Sequence, residues 1–487
     1  MMLLNHTVIY LAANAFAAAF GLLNVVLFTR YFGSGDYGIY VLGFGFANIA
    51  SSLLGSWLRL PIAREQARGD GTDIRGYLLH GFALSCAVAP ATFLAAHLVG
   101  LGYQAATTAV IFALTIIYFD LTQELLRARL KAFSVMKATM LRAVLVPLLG
   151  VAFTALGTSG LLLLASSALA YALSALVFTR DAWAGVVPRI QRARLWHMAR
   201  AGLPLTVSIT LLAISSVADR LIVAYFAGAA ETGKYSAGAD LVRQALTMPA
   251  VSAAAAFFPI AVQTLANRGG EAARRHLDEC LELLVAITLP AALGIAVTSA
   301  HIANIVLGPE FRSLAAQIMP IISMAVVFQV LTYQYLHISF LLSERNSFYL
   351  LNTGAAVVFG VIVASCLTAA FGAIGTAWGR LAADVFGFLV AVLLTRWAFP
   401  LPWKPGKLVR VIGAAMVMAL IVKGFDMFVS KSDSLALAVL IPVGIASYGA
   451  LCLLLDICRA RDGARHLVEV TRNFFRAPSR EIGGGSA

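Results

Sequence analysis

Charge is scarce in this chain. Asp, Glu, Lys and Arg make up 12% of its 487 residues, against 60% hydrophobic residues and a mean hydropathy of +0.87. A water-soluble globule of this size would lack the polar surface to cover itself, so lipid must be the solvent for much of the chain. Cysteine is sparse too. Cys86, Cys280, Cys366, Cys452 and Cys458 are odd in number and show no CxxC or Cys/His spacing, which argues against a disulfide framework or a metal site and leaves structural thiols. The ten-residue alternation of a membrane barrel is missing. No GxxxxGK[ST] loop occurs, so nucleotide hydrolysis in cis is unsupported, and no connection is long enough to be a soluble domain. The first residues lack a basic n-region and a small-residue cleavage site, which predicts a retained first helix rather than a secretory signal. No catalytic residue, cofactor or metal is expected, and the chain is not predicted to be an enzyme.

What is present is a series of apolar runs of about 18 to 28 residues, long enough for a helix to cross about 30 Å of hydrocarbon. There are about fourteen, from Thr7–Phe28 to Leu435–Leu455, separated by Gly, Pro and short polar clusters. The predicted fold class is all-α integral membrane. Basic residues alternate sharply between successive connections. The even-numbered ones carry groups such as Arg59, Arg64, Arg68 and Arg75, whereas the odd-numbered ones hold only Arg30, Lys234, Arg312, Lys423 and Lys431. The positive-inside rule then places both termini in the cytoplasm. The net charge of +13 becomes a matter of topology and attraction to the anionic inner leaflet, with no need for nucleic acid. Arg459–Arg476 is amphipathic and is predicted to lie on that surface, and Val187–Arg200 reads as a basic interfacial linker or a plain topology signal.

An internal repeat gives the organisation. Tyr31-Phe32-Gly33-Ser34-Gly35-Asp36-Tyr37-Gly38-Ile39-Tyr40 follows the first run, and Tyr225-Phe226-Ala227-Gly228-Ala229-Ala230-Glu231-Thr232-Gly233-Lys234-Tyr235 follows the seventh. Both read YF, small residues, an acid, then G-x-Y, and Pro90 and Pro290 keep the correspondence. Two six-helix lobes in a parallel repeat are predicted, with a cavity between them. Residues 1–190 form the N-terminal lobe, 191–400 the C-terminal lobe, 401–458 two added helices, 459–480 the amphipathic tail and 481–487 an appended linker. Prolines at Pro90, Pro147, Pro204, Pro249, Pro259, Pro290 and Pro320 fit either hinges or the general tolerance of proline in membrane helices.

The segments LFTRYFGSGDYGIYVLGFGFANI and AGLPLTVSITLLAISSVADRLIVAYFAGAAETGKYSAGADLVRQ, with the helix count, resemble the polysaccharide-transporter branch of the multidrug/oligosaccharidyl-lipid/polysaccharide exporter superfamily, the Wzx-type flippases. The most specific part is Asp219-Arg220-Leu221-Ile222 followed by Gly233-Lys234-Tyr235-Ser236. The resemblance implies a flippase in the bacterial inner membrane. It would move an undecaprenyl-diphosphate-linked oligosaccharide from the cytoplasmic to the outer leaflet by alternating access, for surface polysaccharide assembly, through a cavity lined by cationic residues.

Charges at membrane depth cost at least about 2.5 kcal/mol each on insertion scales, so they face a cavity or a partner. By helix rise, Arg220 and Arg243 lie about 9 Å inside the outer ends of their helices, Arg380 about 12 Å, and Arg142 about 6 Å from an inner end. With Arg59 at the inner mouth and Arg30 at the outer, they form a candidate ladder for a diphosphate, since guanidinium offers bidentate hydrogen bonds without deprotonating. The structural alternatives stand beside this. Asp240 and Arg243 are three apart and Arg380 and Asp384 four apart, so each pair can neutralise itself on one helix face. Arg59, Arg142 and Arg30 can snorkel to an interface. Asp219 and Arg220, being adjacent, point about 100° apart and need separate partners. Asp219, Asp240 and Asp384 are candidates for coupling to a proton or sodium ion, or are simply compensation for arginines. The histidines His80, His97, His301 and His337 are scattered and suggest no relay. A multidrug cation antiporter or lipid II flippase of the same superfamily would share the helices, although an antiporter should favour acidic and aromatic cavity residues. A membrane polysaccharide polymerase should carry a large outward loop, and none has that size.

Overall fold

A computed structural model describes residues 2–62, 73–98, 100–186, 192–402, 405–429 and 432–462. The amphipathic stretch beyond residue 462, the start of the basic linker at 187–191 and the terminal GGGSA lie outside the described residues. No strand occurs among the described residues, and the chain is an all-helical, multi-span membrane protein.

The first six long helices are α1 (Met2–Tyr31), α2 (Ser34–Arg59), α3 (Arg75–Leu98), α4 (Tyr103–Ala128), α5 (Ala132–Ala152) and α6 (Gly160–Val177). A continuous helical run, Arg192–Val297, follows. It is broken at Gly228 and Gly269, with φ of 80° and 79°, into α7 (192–227), α8 (229–268) and α9 (270–297). Only glycine reaches such φ values without strain. Beyond the short helix Ser299–Val306 comes α10 (Pro309–Leu331), which continues through a π turn at Thr332–Leu336 into His337–Leu342. Asn346–Thr395 breaks at Gly372, φ 60°, into α11 (346–371) and α12 (373–395), and α13 (Pro405–Asp426) and α14 (Asp433–Leu455) complete the chain. Among the described residues eleven helical runs are long and apolar enough to cross a membrane, and the three glycine breaks divide two of them into five, giving fourteen segments.

Helix ends run past the apolar limits visible in sequence. The α8 segment begins at 229, eight residues ahead of the apolar run at Ala237, because Glu231 and Lys234 pair one turn apart at 2.8 Å and continue the helix into its polar end.

Within the first six helices α1 packs on α5, α2 on α3, α4 and α6, and α4 and α5 on α6. The later helices gather around the α7 to α9 run, with α10, α11 and α12 against it and α13 paired with α14 beside it. The largest contact crosses between these groups, α2 against the long run. Its tightest point is formed by the two repeated motifs. A Cβ on Gly38 would collide with the carbonyl of Ala229, and one on Gly233 with the carbonyl of Ser34, so the G-x-Y glycines let two backbones touch at the end of the bundle that carries the α1–α2 turn. Close by, Glu310 accepts a 2.9 Å hydrogen bond from the Ser34 amide, the Arg30 guanidinium donates to the Ile305 carbonyl, and Asp36 accepts from the Gly160 amide at 2.8 Å. These bonds satisfy helix-end groups that would otherwise be unpaired.

Candidate functional site

A cavity of about 280 Å³ opens between α1, α2, α5 and α6 on one side and α7 and α8 on the other. Its walls combine apolar and aromatic side chains such as Val25, Phe28 and Phe44 with polar groups from Asn24, Tyr37, Tyr40, Arg142, Tyr171, Arg220, Asp240 and Gln244. Gly21 of α1 faces the end of the Gln244 side chain, whose carboxamide would have to turn aside for a Cβ there.

Arg142 is the cation of this cavity with no carboxylate in ion-pair range among the described residues. Its guanidinium lies 5.2 Å from the Phe119 ring centroid and 4.8 Å from that of Tyr171, and Nη1 donates to the Tyr171 hydroxyl at 2.7 Å. Aromatic faces and a neutral oxygen hold a guanidinium in place without cancelling its charge.

Arg220, on the opposite wall, is neutralised. Its Nη2 pairs with Asp240 of α8, and its Nε is buried with no hydrogen-bond partner among the described residues. The neighbouring pair is crossed. Arg243 of α8 pairs with Asp219 of α7, which also accepts from the Tyr235 hydroxyl at 3.1 Å, while Arg243 Nη1 stands 4.0 Å from Asp240. The adjacent residues Asp219 and Arg220 therefore find separate partners on α8, as their 100° offset requires.

A second, smaller cavity of about 40 Å³ lies among α7, α10, α11 and α12. Arg380 donates there to Asp384 at 2.8 Å and to the Ser215 carbonyl at 2.8 Å, with Asp219 and Tyr333 on the same wall. Tyr333 sits on the π turn of α10, a distortion that often marks a functional position in a helix.

The six arginines picked out from sequence are thus distributed over four environments. Arg142 and Arg220 face the larger cavity, and Arg243 and Arg380 lie in the charge network behind it. Arg59 pairs with Asp120 at 2.5 Å in a small pocket lined by Ser51, Ser52 and Ser56, and Arg30 sits at the α1–α2 end. Of the three acids, Asp240 borders the larger cavity and Asp219 and Asp384 the smaller.

Several polar features carried no recognisable pattern in sequence. Asn24 sits singly in an apolar run, and Gln244 directly follows Arg243. His301 hydrogen-bonds Asp426 through Nε2 at 2.8 Å and Asp433 through Nδ1 at 2.6 Å, 125 and 132 residues away. Lys407, at the start of α13, reaches Asp278 and Glu282 of α9 at 3.1 and 2.8 Å. Between α8, α9 and the α13–α14 pair runs an apolar groove of about 440 Å³, lined by Leu246, Pro290, Ile302, Met418, Leu440 and Ile445 among others.

A family model described as "Polysaccharide biosynthesis protein" matches residues 27–316. No curated protein matches the chain in sequence. Among solved structures, the fold is similar to that of the lipid II flippase MurJ in an inward closed conformation, with TM-score 0.78, 14% identity, and coverage of 91% of this chain and 98% of that one. It is also similar to an inward-facing multidrug resistance MATE family transporter of the MOP superfamily, with TM-score 0.63, 17% identity, and coverage of 78% and 94%. A MATE structure in a bent conformation matches with TM-score 0.51, 14% identity, and coverage of 85% and 96%.

Proposed function

The chain belongs to the polysaccharide biosynthesis protein family, and from that premise we propose that it is a flippase moving an undecaprenyl-diphosphate-linked oligosaccharide from the cytoplasmic to the outer leaflet of a bacterial inner membrane, for surface polysaccharide assembly. Its transport is non-enzymatic. Residues 1–190 and 191–400 act as two lobes that rock about the contact between the repeated motifs, with 401–458 as an added helix pair and both termini in the cytoplasm.

The observation that carries this reading is Arg142, a guanidinium with no carboxylate in ion-pair range among the described residues, at the wall of a cavity between the two helix groups. A cation left without a carboxylate at membrane depth is expensive unless an anion visits it. A diphosphate supplies that anion in a geometry guanidinium binds well. The tail of such a substrate needs an apolar path, and the groove beside α13 and α14 offers one. Arg220, Arg243, Arg380, Arg59 and Arg30 extend the cationic set, the first at the cavity and the others behind it or toward its ends.

Alternating access also needs a driving force. We assign it to a proton or sodium ion acting at Asp219, Asp240 or Asp384, each of which would have to exchange an arginine partner for the ion during the cycle.

The test is a substrate panel in proteoliposomes. Fluorescent undecaprenyl-diphosphate oligosaccharide, lipid II and a cationic drug are offered in turn, and leaflet exchange or efflux is followed. Exchange of the oligosaccharide carrier supports the reading. Exchange of lipid II alone, or drug efflux without lipid exchange, replaces it with the corresponding transporter.

A further inference from the structure

The inter-helix cavity carries two guanidinium groups and one carboxylate, a net charge of one. A diphosphate linking a lipid to a sugar carries two ionised phosphates. In a partly apolar site, where charges interact more strongly than in water, the second phosphate needs a second cation. That cation is Arg220, and in the empty cavity its Nη2 is occupied by Asp240.

Asp240 has another place to go. Arg243 stands three residues further along the same helix face, with Nη1 already 4.0 Å from the Asp240 carboxylate. Arg243 holds Asp219 through Nη2, so its two terminal nitrogens can serve two carboxylates at once. A side-chain rotation at Asp240 closes the gap without moving a helix.

We propose that Asp240 is an internal counter-anion: it occupies the phosphate seat on Arg220 while the cavity is empty, and yields it by swinging to Arg243 Nη1 when the substrate's diphosphate arrives. On release it returns to Arg220 and competes with the departing phosphate. Asp240 is then a positioning residue that sets affinity through Arg220, and it keeps the cavity from holding its cargo too tightly to let go. This role rests on the diphosphate reading of the cavity.

Binding of farnesyl-diphosphoryl-glucose to the full chain in lipid nanodiscs tests it, with thermal melting as the check on folding. Asp240→Asn removes the competitor and should tighten binding about tenfold, the scale of one charge-assisted hydrogen bond, while slowing leaflet exchange of the long-chain substrate. Asp240→Glu keeps the carboxylate and should bind as the wild type does. The paired change Asp219→Asn with Arg243→Gln preserves net charge but removes the alternative seat, so it should weaken binding. This second variant leaves Asp240 and Arg220 in place, and it decides the matter if Asp240→Asn does not fold. Unchanged affinity in both Asp240→Asn and the paired variant overturns the counter-anion role and leaves the diphosphate site standing. Absence of binding by folded wild type and variants alike overturns the diphosphate reading, and the role of Asp240 with it.

Discussion

Replacing Asp219 with Asn should be among the most damaging single polar changes in the protein, and the reason is the partner it leaves behind. Asp219 is 4% exposed and accepts hydrogen bonds from Arg243 and from the Tyr235 hydroxyl. Without its carboxylate, the Arg243 guanidinium keeps only the Asp240 oxygen at 4.0 Å, already held by Arg220. Breaking a buried pair from one side costs about 3–5 kcal/mol, whereas removing both members together is often nearly neutral. A cycle of Asp219→Asn, Arg243→Gln and the double change should therefore show single changes that each lower the thermal midpoint in detergent strongly, and a double change that recovers most of the loss. The coupling expected is about 3 kcal/mol or more, far above the roughly 0.5 kcal/mol within which independent sites add. Additive losses in the double variant would refute the crossed pairing of α7 with α8.

Other consequences are open to measurement. Gly38→Leu should force apart the backbones of α2 and α8 at the α1–α2 end, at about 1–3 kcal/mol for overpacking, and raise maleimide labelling of a Ser34→Cys reporter. Unchanged melting and labelling would contradict the tight contact. His301 sits outside the spans. Burial alone would lower its pKa, but hydrogen bonds to Asp426 and Asp433 outweigh that and raise it. Its contribution to stability is then complete below the unfolded value of about 6.5 and is lost as pH climbs through the higher folded value. The melting temperature should fall with rising pH across that window, and His301→Ala should flatten the slope; a slope that survives the substitution would assign it elsewhere.

Most of the fold was legible because lipid imposes a simple rule, an apolar run long enough to span. The breaks at Gly228 and Gly269 fall in gaps between such runs, and that at Gly372 falls on the first residue of one, so hydropathy separates the same segments that the backbone breaks divide. The repeated YF and G-x-Y motifs were also visible, but not that Gly38 and Gly233 would meet, since the meeting depends on how α2 crosses the long run. The charged residues of the site were all recognisable as costly. Their pairing was not, because sequence shows neighbours on one helix at three and four residues, whereas Arg220 and Arg243 take their closest partners from the facing helix. Arg380 and Asp384, four apart, pair on their own helix, where spacing alone sufficed. Arg142 looked like an interfacial arginine by depth. Its place between Phe119 and Tyr171 at the cavity wall is a product of packing among α4, α5 and α6, which no spacing within α5 encodes.

The central claim is that Arg142, which has no carboxylate in ion-pair range among the described residues, meets the substrate's diphosphate. Leaflet exchange of fluorescent undecaprenyl-diphosphate oligosaccharide should be measured in proteoliposomes holding wild type, Arg142→Lys or Arg142→Gln, each with an unchanged melting temperature. Exchange that is abolished in Arg142→Gln and partly kept in Arg142→Lys is the predicted result. Exchange at the wild-type rate in a folded Arg142→Gln protein would contradict the account.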